Sequence, residues 1–142
     1  MRQYKQFYIN GQWQDPAIAN DFDVFNPADE TVAGVISLGS DSDVNSAVNA
    51  AQKAFIGFSQ FSRKERIDLL ESILATYRKY YDEIALAISE EMGAPIPFAL
   101  NEQADCGTGH LTSAIRALKS FQFEEDKGNT RIYKEPIGVC AF

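Results

Sequence analysis

Cys106 and His110 stand four residues apart, a spacing that can put two side chains on one face of a helix. A thiol beside an imidazole is the pattern of a nucleophile with its base, or of two ligands to a soft metal. His110 is the only histidine in the chain. A structural zinc needs about four nitrogen or sulfur ligands, and only these two can be found. The residues therefore favour a small buried thiol beside a helix-face imidazole over a dyad or metal site. Cys140 lies within the apolar run Ile137-Gly138-Val139-Cys140-Ala141-Phe142, where a thiol is unreactive and packing is its expected role. Gly107-Thr108-Gly109-His110-Leu111-Thr112 lacks the last glycine of a dinucleotide fingerprint and follows a helical pattern rather than a strand. Glu90 and Glu91 are adjacent, so on a helix they point about 100° apart and do not form a paired-carboxylate site. Two glutamates near a helix C-terminus oppose the helix dipole, which leaves an opening for a nearby cation.

The elements that position these residues follow from periodicity and turn chemistry. Asn10-Gly11 between Phe7-Tyr8-Ile9 and Gln12-Trp13 predicts a hairpin, because both turn positions favour residues that tolerate positive φ. A second strand pair is expected over Phe22–Phe25 and Val32–Ile36, turned by Asn26-Pro27-Ala28-Asp29. From Ser40 the period becomes helical, with Val44, Ala47, Val48, Ala51, Phe55 and Phe58 on one stripe. Ser40 or Asp41 would cap that helix. Ser62 and Glu65 form a capping box for the next helix, whose stripe is Ile67, Leu70, Ile73, Leu74 and Tyr77. Tyr81, Ile84, Ala85, Ile88 and Met92 mark a third, stopped by Gly93 and Pro95. The stripes leave open whether the second and third are separate or one bent helix.

A fourth helix is expected after Pro97, burying Leu100, Ala104, Thr108, Leu111, Ile115 and Leu118. Gly107 and Gly109 inside it each cost about 1 kcal/mol against alanine, which points to close approach by another element. Gly128-Asn129 signals a turn, Thr130–Lys134 alternates as an exposed strand would, and Pro136 ends it. The run from Ile137 to Phe142 is continuously apolar, as in a parallel strand covered on both faces. Parallel neighbours need a crossover of a dozen or more residues. The expectation is that the chain stops before that sheet forms.

With 45% hydrophobic and 23% charged residues, the 142-residue chain has the composition of a globular protein. A formal net charge of −7 argues against nucleic acid as a partner. Arg63, Lys64 and Arg66 interleave with Glu65 and Asp68, as on a solvated helix face. No apolar run is long enough for a membrane helix, and no apolar segment follows the first residues as in a secretory signal. Two cysteines are too few for a disulfide scaffold, so the expected compartment is the cytoplasm. The ten phenylalanines and six tyrosines fall on the apolar stripes and hairpins, which favours core over a base-stacking platform.

Five segments in this order carry a family likeness: Phe7-Tyr8-Ile9-Asn10-Gly11-Gln12-Trp13; Phe25-Asn26-Pro27-Ala28; the alanine-rich helix from Asp41 to Phe55; Glu91-Met92-Gly93-Ala94-Pro95; and Lys134-Glu135-Pro136-Ile137-Gly138-Val139-Cys140. Together they resemble the N-terminal part of the NAD(P)-dependent aldehyde dehydrogenase superfamily. The family often has lysine where this chain has Ala94. The resemblance implies an α/β fold in the full enzyme, of which these residues would be a mostly helical fragment with N-terminal β-hairpins and one or two C-terminal strands. Residues 1–121 would be the N-terminal part of the cofactor-binding domain, with hairpins over 7–38 and helices over 41–121. Residues 122–136 would start an oligomerisation arm, and residues 137–142 the first strand of the nucleotide-binding sheet.

Such enzymes oxidise an aldehyde to a carboxylic acid with NAD or NADP through a cysteine thiohemiacetal. Their nucleophile and water-activating glutamate lie downstream, so neither Cys106 nor Cys140 inherits a role. No catalytic, cofactor-binding or metal-ligating residue is assigned within the chain, although some members hold a monovalent cation near positions matching Val24 and Glu91. The 142 residues are expected to be inactive alone, with no bound cofactor. They are also expected to self-associate or form homo-oligomers through the C-terminal strands. The alternative is a non-catalytic helical interaction module whose last strands add to a partner's sheet.

Overall fold

In the computed structural model, which describes residues 2–141, the Asn10-Gly11 turn closes as its residue types require. Both residues take positive φ, 53° and 78°, joining β2 (Phe7–Ile9) to β3 (Gln12–Gln14) with Tyr8 opposite Trp13. The second pair also forms, β4 (Asp21–Phe25) running antiparallel to β5 (Val32–Ser37). Its connecting loop is tied by the Asn26 side chain, which accepts from the Ala28 amide at 3.0 Å.

A strand not foreseen from the pattern, β1 (Arg2–Tyr4), adds in parallel to β5 and gives the sheet order β1-β5-β4. Its residues are mostly polar, so they carry no strand signal of their own. The available clue is Gly34 in the middle of β5. A Cβ there would come to 3.2 Å from the Arg2 carbonyl oxygen, the close backbone approach that a strand glycine often marks.

Helix α1 (Asp41–Phe58) starts at Ser40. Asp43 is buried and holds three donors: its Oδ2 accepts from the Ser40 amide at 2.8 Å and the Ser40 hydroxyl at 2.7 Å, and its Oδ1 from the Ala17 amide at 2.9 Å. These bonds, the Ala17 amide foremost, hold its carboxyl below the ordinary carboxylate range. They also tie the loop before β4 to the first turn of α1. The apolar stripe of α1 is present but largely uncovered, with Val44, Val48 and Phe58 exposed. Periodicity identifies the apolar face of a helix, not the layer that will cover it, and α1 meets chiefly β2. Several aromatics expected in the core are likewise on the surface, among them Tyr8, Trp13, Phe22 and Phe25.

Ser62 caps α2 (Arg63–Lys79), its hydroxyl accepting from the Glu65 amide at 3.3 Å while its own amide donates to the Glu65 carboxylate at 2.8 Å. Helix α3 (Tyr81–Met92) follows after Tyr80 alone, whose φ of −105° and ψ of 16° break the path. The two are therefore separate helices. Gly93 ends α3 in the left-handed conformation at φ 70°.

The last helical stretch is more complex than one helix after Pro97. A short turn α4 (Ile96–Phe98) runs into a π turn (Ala99–Gln103) and then α5 (Ala104–Ser120). Pro97 lies within the first turn, where its missing amide costs little. Ala85, Ala99 and Ala104 form the most buried cluster, so the core sits where α3 crosses the π turn through small side chains. The Tyr77 hydroxyl donates to the Ala104 carbonyl at 2.7 Å, and the Tyr81 hydroxyl donates to the Leu100 carbonyl. Gly107 makes room for Tyr77, because a Cβ there would overlap the tyrosine ring, whereas nothing approaches Gly109. The expected close approach holds for the first glycine only.

Strands β6 (Glu124–Lys127) and β7 (Thr130–Tyr133) pair around Gly128, which has φ 63°. The strand expected from Ile137 is not formed. Residues 137–141 are irregular and Ile137 is 97% exposed, while Phe142 lies outside the described residues. A parallel strand is made by its neighbours, and no described strand lies beside this run.

Gly107→Ala should lower stability by about 1–3 kcal/mol through overpacking against Tyr77. Gly109→Ala should raise it by up to about 1 kcal/mol through helix propensity. Urea melts of the two variants check the pair, and equal effects would place the Tyr77 contact elsewhere. Because the Asp43 carboxyl is held low, its contribution is present above the ordinary carboxylate range and is lost as pH falls through its folded value. Asp43→Asn should therefore melt below the parent at neutral pH, and the difference should close on acidification, as circular dichroism melts from pH 7 to pH 2 would record.

Candidate functional site

Gly93 and the loop after β4 meet in space although some sixty-five residues separate them in sequence. A Cβ on Gly93 would lie 3.2 Å from Pro27 Cβ and 3.5 Å from the Ala28 amide nitrogen. Asn26-Pro27-Ala28 and Met92-Gly93-Ala94 thus pack as one unit at the C-terminal end of α3. The Ser89 hydroxyl donates to the Ala94 carbonyl at 2.6 Å and fixes the chain as it leaves the helix. Beside this unit, two clefts share Arg2 and Ala33.

The larger, about 320 Å³, holds an ion pair between Arg2 Nη1 and Glu90 Oε2 at 2.6 Å. The pair explains how two glutamates are tolerated at the C-terminus of α3: a guanidinium from β1 supplies the positive charge that the helix dipole and carboxylates favour there. The smaller cleft, about 150 Å³, is lined by Val24 and Glu91 together with Tyr4 and strand β5. Its charged groups are Glu91 and the Arg2 guanidinium that lines both clefts, so the positive charge a carboxylate favours is already at hand. The lining holds one carboxylate, where a hard cation takes several oxygen ligands. Arg2 was not singled out from the sequence, because its role depends on the unforeseen pairing of β1.

The other candidates do not assemble. Cys106 is exposed, so the buried thiol expected there is a surface one, and His110 is exposed as well. The buried face of α5 belongs instead to Tyr77, whose hydroxyl is pushed above its usual range by burial, with Cys106 and Asp105 adding to the shift. Cys140 is also exposed rather than packed in a strand. Among the described residues no group of three or more His, Cys, Asp or Glu is placed to hold a metal. Gly107-Thr108-Gly109 lies inside α5, its amides engaged in the helix and Gly107 covered by Tyr77. A pyrophosphate needs free amides at a helix start, so these residues do not fit a dinucleotide.

The chain belongs to the aldehyde dehydrogenase family, whose pattern matches residues 13–142. Among similar proteins, a 3-succinoylsemialdehyde-pyridine dehydrogenase from a Pseudomonas species is 48% identical over 142 residues, which is 99% of this chain and 30% of that protein. An aldehyde dehydrogenase from Bartonella henselae superposes with a TM-score of 0.88 at 44% identity, covering 91% of this chain and 28% of the other. A mutant of aldehyde dehydrogenase C from Pseudomonas syringae, solved with NAD+ and octanal, gives 0.91 at 37% identity, covering 94% and 27%. The chain thus spans about 30% of the length of the relatives it matches.

Arg2 and Glu90 are each 38% exposed, so Arg2→Met should cost no more than about 1 kcal/mol, and less at high salt. Denaturation in low and high salt checks this. A larger, salt-independent loss would mean that the docking of β1 on β5 depends on the pair.

Proposed function

We propose that these residues form the N-terminal part of the cofactor-binding domain of an NAD(P)-dependent aldehyde dehydrogenase and carry no turnover by themselves. The observation that carries this reading, beside the family match, is the surface. The chain exposes 10557 Å², whereas a compact monomer of its 15.8 kDa exposes roughly 7,300 Å². The excess is of the order buried in obligate interfaces, and it includes Val44, Val48 and Phe58 on the apolar stripe of α1. An apolar helix face of that kind fits a sheet or a further domain laid over it.

In this reading residues 1–121 support the nucleotide-binding sheet, residues 122–136 begin an arm that contacts other subunits, and residues 137–142 become its first strand once neighbours are supplied. The whole enzyme would oxidise an aldehyde with NAD or NADP and act in the cytoplasm as a homo-oligomer. Consistent with a soluble setting, no helix among the described residues is long and apolar enough to cross a membrane. The present residues would serve as support: Tyr77 and Tyr81 set the position of α5, and Gly93 against Pro27 anchors the sheet to α3. No step of hydride transfer or acyl release is assigned to them, since Cys106 and Cys140 both lie on the surface without an assembled base.

Incubation of the purified 142-residue chain with NAD+ or NADP+ and a panel of aliphatic and aromatic aldehydes should give no reduced cofactor at 340 nm. Sustained turnover by a mass-verified preparation would overturn the assignment of the chain as support.

A further inference from the structure

Between the end of α1, the start of α2 and the base of the β6–β7 hairpin lies a cleft of about 710 Å³, distinct from the clefts at the sheet, whose hairpin wall belongs to the segment proposed above as the start of the arm. Its walls are aromatic, with Phe55, Phe61, Phe121 and Phe123, and three cations line it, Arg63, Arg66 and Lys134. The sequence pattern placed Arg63 and Arg66 on a solvated helix face. Arg63 and Lys64 are exposed as expected, Lys64 pairing with Asp68 at 2.5 Å, whereas Arg66 is half-buried.

Backbone carbonyls hold the three cations in place. Arg63 Nη2 donates to the Phe121 carbonyl at 2.6 Å, Arg66 Nε to the Phe61 carbonyl at 2.9 Å, and Lys134 Nζ to the Gln122 carbonyl at 3.1 Å. Arg63 also stands over the Phe123 ring at 5.7 Å, and Lys134 over the Phe121 ring at 5.2 Å. These bonds fix the positions of the cations without neutralising them, and each guanidinium or ammonium keeps further N–H donors.

In a chain with an excess of seven negative charges, carboxylates are plentiful. Yet none of the three is in an ion pair among the described residues, although Glu135 lines the same cleft. The cleft is open, and its phenyl rings stand among polar side chains that also include Ser59 and Gln60, but its volume is that of a small-molecule site. Its net positive charge and flat aromatic walls define the ligand.

We propose that this cleft binds an organic anion with a flat apolar body and a single carboxylate, the carboxylate meeting Arg63, Arg66 and Lys134 while the body stacks among the phenylalanines. The site is separate from the sheet–α3 clefts and does not depend on the enzyme having turnover.

The test is calorimetric titration of the chain with 2-naphthoate, with 2-naphthamide as the neutral isostere. Saturable binding of the acid is expected, at least tenfold tighter than of the amide and weakening as salt is raised. Lys134→Gln, at an exposed position, should weaken it about tenfold, while Lys53→Gln on α1, outside the cleft, should leave it unchanged. Equal binding of acid and amide, no saturable binding, or equal effects of the two substitutions would each overturn the proposal. The salt dependence tests it on the unsubstituted chain, independently of how the variants fold.

Discussion

Tyr77 and Tyr81 sit on either side of the single-residue break between α2 and α3, and each donates its hydroxyl proton to a backbone carbonyl of the segment that crosses them. One acceptor, Leu100, lies inside the π turn, and the other, Ala104, is the first residue of α5. A π turn widens a helix and shifts the register of its carbonyls, which makes such oxygens accessible to side chains. The arrangement requires three concessions from the sequence. Gly107 must lack a side chain so that the Tyr77 ring can lie against α5. Ala85, Ala99 and Ala104 must be small enough for the helices to close on one another. Thr108 must give up the bond it would otherwise make to the carbonyl four residues earlier, and its hydroxyl oxygen is indeed left buried without a partner.

The position of α3 governs the rest. Its C-terminal end carries Glu90 to Arg2 and brings Gly93 against Pro27, so the N-terminal sheet is registered on the helices through that end. At the other side, Asp43 ties the segment before β4 to α1 with three hydrogen bonds. These polar ties close within the chain, whereas much apolar area stays open to solvent. Among the described residues no side chain is completely buried apart from small ones, and α1 presents much of its apolar stripe outward. Local polar ties that close on themselves beside apolar stripes turned outward fit a self-contained local architecture whose core further surface would complete.

What was legible in the sequence was local chemistry. Asn10-Gly11, the Ser62–Glu65 box and Gly93 each act within a few residues, and each element they predict is present. The stripes of α2, α3 and α5 also identify faces that pack, with Leu74, Ala85, Ala104 and Ile115 buried. What was not legible depended on partners distant in the chain. β1 exists because β5 offers it an edge, and only Gly34 hinted at that approach. The run from Ile137 reads as a strand by composition, yet a strand without a neighbour has no ladder to join, so composition and conformation part there. The small cleft was half legible: the family resemblance named Val24 and Glu91, but spacing alone could not bring them together or place Arg2 beside them.

The same distinction between local and distant causes bears on the thiols. From sequence, both were assigned to packing on the premise that apolar neighbours in the chain become apolar neighbours in space. That premise fails at Cys106, because α5 turns its glycine and alanine face inward to receive Tyr77 and leaves the thiol outside. It fails at Cys140 because the surrounding run is unsheeted. Exposure alone does not make either a nucleophile. A reactive thiolate needs a positive neighbour or a helix N-terminus to stabilise it. Cys106 has neither, since α5 continues from the π turn through Gln103 in helical conformation and offers no free helix start. The chemical reading of the two cysteines therefore survives the loss of its structural premise: the lack of an activating neighbour, rather than burial, is the reason Cys106 should not be taken for the nucleophile.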